Sequence, residues 1–106
     1  MKIPATAVIS SAKLRDYLLQ IRRKNDKARF LAQGGFHLHN SDKLDGALRS
    51  LIAEHDADIE RVDEYGTFYR VEGKLRGPDA ILTVVTIWMA VEANSEFRFV
   101  TLKPAK

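Results

Sequence analysis

The chain has 106 residues, of which 45% are hydrophobic and 29% are charged. The length suits one globular domain spanning residues 1–106, and the composition excludes a disordered chain. The absence of cysteine excludes disulfides, thiol catalysis and cysteine-ligated metal sites. No apolar run approaches membrane-spanning length, and the N-terminus lacks the pattern of a signal peptide, so we expect a cytoplasmic protein outside the membrane.

The net charge of +3 is distributed unevenly along the chain. Residues 13–29 carry seven basic and two acidic residues, a local net charge of +5. Residues 42–64 carry three basic and eight acidic residues, a local net charge of −5. A basic block attracts polyanions, and phosphate contacts dominate nucleic-acid affinity, so residues 13–29 indicate RNA as a partner. The charges alone favour the other interpretation, a solvated helix face that pairs with the acidic segment.

The first predicted helix starts near residue 10, where the side-chain oxygen of Ser10 or Ser11 can cap it. Helical spacing gives it one apolar stripe, formed by Leu14, Tyr17, Leu18 and Ile21. The arginines of this segment fall away from the stripe, so we expect them to face solvent.

A short second helix is predicted after Asn25 or Asp26, either of which can cap it. Its inward-facing residues are Ala28, Leu31 and Ala32. We expect this helix to end at Gly34-Gly35, because glycine readily adopts the left-handed conformation that a helix end needs.

The third helix is predicted to start at Asn40 or Ser41 and to end near His55. Its apolar face is formed by Leu44, Leu48, Leu51 and Ile52. A cation at the end of this helix would suit the helix dipole. His55 therefore has two interpretations. It could be a general acid or base, because imidazole titrates near neutral pH, or it could be a helix-terminal residue placed there for the dipole.

From residue 58 onward the apolar period changes from helical to two, which predicts strands. The four strands cover residues 58–63, 67–72, 81–91 and 97–104. A Gly-Pro-Asp turn at 77–79 separates the second strand from the third. Helices followed by an antiparallel meander predict an α+β fold with two layers. In it, two or three N-terminal helices pack on a four-stranded antiparallel sheet.

Two histidines, His37 and His39, follow the Gly-Gly pair. In an extended segment both side chains point the same way, and they could act as acid and base or as half of a metal site. Two histidines without a clear third ligand indicate metal only weakly, so we favour surface loop residues. We therefore expect neither a metal nor another cofactor.

Lys27 and Arg29 fit one requirement of RNA cleavage without metal. The reaction needs a base, an acid and cations that neutralise the charge growing on phosphate. Lysine and arginine suit the last task. Taken alone, these residues favour a solvated helix face instead.

The third strand offers a second kind of site. Under strict alternation Val84, Thr86 and Trp88 share one side of the strand. A threonine hydroxyl next to an aromatic ring can bind phosphate and stack a base. For the single tryptophan in a long apolar strand, a position in the core is the stronger expectation.

Several short motifs, in their order and spacing, resemble a domain family of uncharacterised function. That family recurs at the C-terminal end of bacterial polymorphic and contact-dependent toxins. The motifs are KLRDYLL (13–19), KARF (27–30), Gly35-Phe36, LRSLIAEH (48–55), YGTFYRVEG (65–73), GPD (77–79), VVTIW (84–88) and FRFVTLKP (97–104). Toxin members usually carry a Pro/Gly-rich loop where this chain has RRKND (22–26). The chain starts at Met1 without a delivery module, so we expect a free-standing copy.

The order of elements is also similar to the barnase, EndoU, colicin and RelE-like group of ribonuclease folds. The resemblance implies a metal-independent endoribonuclease that acts on RNA, with transfer RNA as the substrate, or an inactive relative. Its site would lie on the concave sheet face. The catalytic candidates that it implies are Lys27 for phosphate, His55 as acid or base, Thr86, Trp88, Arg98 and Thr101. The RNA-binding candidates are Arg22, Arg23, Lys24 and Arg29. Strict alternation puts Arg98 and Thr101 on opposite faces, so either a bulge is present or one of the two assignments is wrong.

Two alternatives stay open beside the endoribonuclease. The first is a non-catalytic α+β module that binds RNA or a protein partner, for example a cognate inhibitor. The second is an interaction protein of an unrelated pathway, for which the split of charge favours self-association or pairing with another protein.

Overall fold

The computed structural model describes residues 1–20 and 27–105. The helical elements are a π-helix (Lys13–Leu18), α1 (Lys27–Ala32), a short 3-10 helix (Leu38–Asn40) and α2 (Ser41–Glu54). The strands are β1 (Asp58–Asp63), β2 (Gly66–Arg76), β3 (Ile81–Val91) and β4 (Phe97–Pro104). The predicted two-layer α+β fold is confirmed. Six residues with predicted roles lie outside the described ranges: Ile21, Arg22, Arg23, Lys24, Asn25 and Asp26.

The four strands form one sheet in the order β1-β2-β3-β4, and each strand pairs antiparallel with its neighbour. The longest ladder joins β2 to β3, from Gly66 opposite Val91 to Arg76 opposite Ile81. The predicted bounds of β1 and β3 are confirmed. β2 runs to Arg76, past its predicted end at residue 72. Gly73 lies at that point, and a glycine inside a strand weakens the alternating signal.

The helices cover one face of the sheet and form the core with it. The predicted apolar face of α2 is confirmed, because Leu44, Leu48, Leu51 and Ile52 are all buried. On the sheet, Val71 and Leu75 of β2 join the same cluster. Burial of each such side chain contributes about 1.5–3 kcal/mol to folding. Within the described ranges, no helix has the length and apolar character needed to cross a membrane.

The first helix departs from the prediction at Tyr17. The backbone N–H of Leu19 donates to the Leu14 carbonyl at 2.9 Å, the i→i+5 bond of a π-helix. This wider turn brings Leu14, Leu18 and Leu19 into the core and leaves Tyr17 42% exposed. The assignment of Tyr17 to the apolar stripe was therefore wrong, because it assumed the period of an α-helix.

The predicted starts of the first and third helices are confirmed, since a helical turn at residues 11–12 leads directly into the π-helix. The Ser10 hydroxyl accepts a hydrogen bond from the backbone N–H of Lys13 at 3.2 Å. α2 begins directly after Asn40. The Asn40 side chain holds the preceding loop, because it accepts from the His37 backbone N–H at 2.7 Å and donates to the Gly35 carbonyl at 2.9 Å.

α1 ends at the predicted Gly34-Gly35 pair. The Phe36 N–H donates to the Leu31 carbonyl at 3.1 Å and the Gly35 N–H to the Ala32 carbonyl at 3.0 Å. These two bonds are those of the Schellman motif, which needs a left-handed residue. Gly35 supplies that conformation, with φ of +91°.

Substitutions at Gly77 and Gly46 test how closely the backbone of Gly77 approaches that of Gly34. A Cβ at Gly77 would lie 2.0 Å from the Gly34 carbonyl oxygen, so Gly77→Ala is expected to lower the free energy of unfolding by about 1–3 kcal/mol. A Cβ at Gly46 meets nothing within 4 Å, so Gly46→Ala is expected to raise it by about 0.5–1 kcal/mol. Urea unfolding measures both, and equal effects would disprove the close approach at Gly77.

Candidate functional site

A cluster of polar side chains joins the N-terminal helices to β4. Lys27, the first residue of α1, donates from Nζ to Thr101 Oγ1 at 2.8 Å and to the Tyr17 hydroxyl at 3.2 Å. The Lys27 ammonium also lies 5.1 Å from the centroid of the Tyr17 ring. Lys13 of the π-helix donates to the Val100 carbonyl at 2.9 Å. We name Lys13, Tyr17, Lys27 and Thr101 the lysine–tyrosine cluster.

A bulge in β4 lies beside this cluster. The pairing of β4 with β3 skips Val100. Arg98 therefore lies opposite Met89 and Thr101 opposite Ile87, and these two residues of β3 share one face. The bulge that a shared site required is present. A bulge re-aims the side chains of an edge strand, and Thr101 here meets Lys27.

Tyr17 is the member of the cluster whose acidity is perturbed. The hydrogen bond from Lys27, then the one with Thr101 and the charge of Lys27, hold the pKa of the Tyr17 phenol below its ordinary value. The charge of Lys13 acts in the same direction, and partial burial of the phenol opposes these effects. A lowered pKa makes the Tyr17 phenol more acidic than that of an ordinary tyrosine, which favours transfer of its proton to a base.

Lys27→Met is expected to raise the pKa of Tyr17 towards the ordinary value of about 10, because it removes the main cause of the shift. A pH titration of phenolate absorbance measures this, with Tyr17→Phe identifying the Tyr17 step. The folded-state pKa lies below the unfolded one, so the associated stability is full above about pH 10 and is lost as pH falls through the folded pKa. An unaltered Tyr17 step in Lys27→Met would refute the coupling.

Thr86 and Trp88 lie in the core, on the side of β3 that faces the helices. Trp88 Nε1 donates to Thr86 Oγ1 at 2.8 Å, and the Thr86 hydroxyl donates to the Val71 carbonyl at 2.9 Å. Both side chains are 0% exposed. The shared side of Val84, Thr86 and Trp88 and the core position of Trp88 are therefore confirmed. An RNA cannot reach either side chain in this structure, so the geometry gives their catalytic role no support.

His55 lies at the end of α2, as predicted, where its backbone N–H donates to the Leu51 carbonyl at 3.1 Å. Its ring covers Gly73 of β2, since a Cβ there would lie 2.5 Å from His55 Cδ2. β3 separates β2 from β4. The structure thus places His55 over a different strand from Thr101 and does not join it to Lys27.

Two of the remaining candidates, Arg98 and Arg29, are exposed. Arg98 is exposed on β4 and donates from Nε to the Glu96 carboxylate. Arg29 is exposed on α1. The other three RNA-binding candidates, Arg22, Arg23 and Lys24, lie between the two described ranges.

His37 and His39 stack on each other, with ring centroids 5.5 Å apart and planes 6° apart. They point the same way, as predicted, although through a 3-10 turn instead of an extended segment. They line a pocket of about 390 Å³ together with Leu19, Gln20, Ala28, Ala32, Phe36 and Leu38. Across residues 1–20 and 27–105, no three His, Asp or Glu side chains come together in a group that could hold a metal ion.

Sequence reasoning missed Tyr17 and Lys13 as members of the site. Their spacing could have indicated a shared site, because Lys13 and Tyr17 are four residues apart in KLRDYLL and share one helix face. It was overlooked because the tyrosine ring also fitted the apolar stripe. The contacts with Val100 and Thr101 could not be read from sequence, since they join residues more than 70 positions apart.

Comparison with known proteins gives a family for the chain and no characterised relative. No curated protein and no solved structure matches it. A family model described as a domain of unknown function, DUF6883, matches residues 3–106. This range includes every member of the lysine–tyrosine cluster. Because the match spans almost the whole length, the chain belongs to the DUF6883 family.

Proposed function

We propose that the chain is a metal-independent endoribonuclease-like domain with the lysine–tyrosine cluster as its reactive centre. The observation that supports this most is the position of Lys27 Nζ, 2.8 Å from Thr101 Oγ1 and 3.2 Å from the Tyr17 hydroxyl. A cation, an alcohol and a phenol of lowered pKa thus meet at one edge of the sheet. Tyr17 is exposed there, so an RNA phosphate can approach it.

The chemistry needs only groups of this kind. The 2′-hydroxyl of RNA attacks the adjacent phosphorus and the bond from phosphorus to the 5′-oxygen breaks, which leaves a 2′,3′-cyclic phosphate and a 5′-hydroxyl. A base takes the proton of the attacking hydroxyl, and an acid protonates the leaving oxygen. In this scheme the Tyr17 phenolate is the base that takes the proton of the attacking 2′-hydroxyl, and a water molecule protonates the leaving 5′-oxygen. Lys27 and Lys13 neutralise the charge that grows on the phosphate, and Thr101 positions Lys27.

The resemblance to the toxin domains supports the same proposal from a separate direction. It suggests transfer RNA as the substrate, the cytoplasm as the compartment, and a cognate inhibitor as a protein partner. Arg29, exposed two residues after Lys27 on α1, would contact the RNA backbone in this scheme.

A non-catalytic module that binds RNA or a protein is the second candidate, and one observation favours it. Lys13 and Lys27 both direct their ammonium groups to acceptors in or beside β4, the Val100 carbonyl and Thr101 Oγ1. Lysines in such positions brace the helices against the sheet. Under this function the basic residues give salt-sensitive binding without any reaction.

Incubation of the purified protein with total transfer RNA in EDTA tests the proposal. Discrete fragments that end in a 2′,3′-cyclic phosphate are expected. Intact RNA at high protein concentration would refute the endoribonuclease. A salt-dependent shift of intact RNA in a native gel would then support the binding module.

A further inference from the structure

The edge strand β1 carries two exposed apolar side chains on one face. Ile59 is 65% exposed and Val62 is 68% exposed. They share a face because the pairing with β2 skips Glu60, so Ile59 lies opposite Tyr69 and Val62 opposite Thr67. This bulge gives β1 an apolar face that β2 alone does not cover.

The two edges of the sheet differ in how they are covered. Beside β4, the Val8 N–H donates to the Phe97 carbonyl at 2.8 Å and the Phe99 N–H donates to the Val8 carbonyl at 2.9 Å. At the outer edge of β1, no backbone hydrogen bond is formed by any residue in the described ranges. An uncovered edge offers its backbone donors and acceptors to a further strand.

The sequence of β1, DIERVD, is complementary to itself in the antiparallel direction. With the two-fold axis between residues 60 and 61, Glu60 faces Arg61 of a second copy and Ile59 faces Val62 of that copy. Each contact occurs twice, as in an isologous dimer. The charged pairs lie away from the apolar ones, because the Arg61 guanidinium lies 3.9 Å from the centroid of Phe68, on the other face.

One pair in this register is unfavourable, since Asp58 faces Asp63 of the second copy. The Asp63 carboxylate is already bound within its own chain. Its Oδ1 accepts from the Tyr65 N–H at 2.9 Å, and its Oδ2 accepts from Arg61 at 2.7 Å. These donors reduce the repulsion that Asp63 exerts on a second chain.

We propose that the chain forms a symmetric dimer in which β1 pairs antiparallel with β1 of a second copy. The two four-stranded sheets then become one continuous sheet. The pairing buries Ile59 of each copy against Val62 of the other and aligns two Glu60–Arg61 pairs. The dimer does not depend on the proposed function, because β1 and β4 are opposite edges of the sheet.

Sedimentation velocity between about 1 µM and about 500 µM, a range that covers weak interfaces, tests the dimer. Concentration-dependent dimerisation of the wild-type chain is expected. Arg61→Glu is expected to raise the dissociation constant by at least about tenfold, since both charged pairs become repulsive. The double variant Glu60→Arg, Arg61→Glu is expected to restore dimerisation. Arg61 is still absent from that variant, so the recovery cannot come from its contacts with Asp63 and Phe68.

Two further variants complete the test. Lys74→Glu makes the same change of charge at an exposed position of β2 and is expected to leave the dimer intact. Val62→Asp is expected to abolish it. A monomer at every concentration, or a dimer that persists in both Arg61→Glu and Val62→Asp, would overturn the proposal. If the chain is monomeric, a strand of a different protein becomes the candidate partner for the edge of β1.

Discussion

Trp88→Ala is expected to lower the free energy of unfolding by about 3–5 kcal/mol, a large part of the 5–15 kcal/mol typical of a domain. Trp88 is 0% exposed, and its ring meets Phe99 edge to face with centroids 5.2 Å apart. Alanine leaves a cavity at the centre of the sheet and removes the donor to Thr86. Urea unfolding followed by far-ultraviolet circular dichroism measures the loss without relying on tryptophan fluorescence.

Two milder variants serve as controls for Trp88→Ala. Trp88→Phe keeps much of the ring volume and is expected to lower the free energy of unfolding by less than Trp88→Ala does. Thr86→Val leaves the buried Trp88 Nε1 without its acceptor and is expected to cost about 1–3 kcal/mol. If these residues belong to the core alone, both variants cleave RNA normally once the folded fraction is taken into account. A fully stable Thr86→Val that has lost cleavage would instead restore a catalytic role for Thr86.

Lys27→Ala is expected to slow RNA cleavage by about 10²–10³-fold, the usual effect of removing a donor that stabilises transition-state charge. Its effect on stability is expected to be small, because the net contribution of one hydrogen bond is about 0.5–1.5 kcal/mol. Lys27→Arg keeps the charge but changes the donor geometry, so partial recovery of the rate is expected.

Lys74→Ala is the matched control for Lys27→Ala. It removes an exposed lysine from β2, and β3 lies between that strand and β4. The wild-type rate is expected for this variant at moderate salt. Equal losses in Lys74→Ala and Lys27→Ala would indicate general attraction of RNA to a basic protein and would argue against a reactive centre at Lys27.

The parts of the fold that could be predicted are those set by local pattern. The leucines of α2 recur at helical spacing, and Ile81–Val91 is rich in β-branched residues over its whole length. Gly34-Gly35 stops α1 through conformational freedom that glycine has on its own. In each case the physical cause lies within a few residues of its effect, so the sequence suffices.

The candidate site could be predicted only in part, because it depends on contacts between distant segments. Strict alternation correctly placed Thr86 and Trp88 on one side of β3 but could not show that the helices cover that side. Helical spacing predicted Tyr17 in the apolar stripe, but the residue is exposed because the first helix has the i→i+5 hydrogen bonding of a π-helix. Lys27 and Thr101 were both candidates, and their direct contact appears only once α1 packs against β4.

We propose that Lys27 acts in a metal-independent cleavage of RNA. The rate of transfer RNA cleavage in EDTA, measured with wild-type protein and Lys27→Ala at equal folded fraction, tests it most directly. Wild-type fragments that form about 10²–10³-fold more slowly in Lys27→Ala are the predicted result. Intact RNA with the wild-type protein, or equal rates for the two proteins, would contradict it.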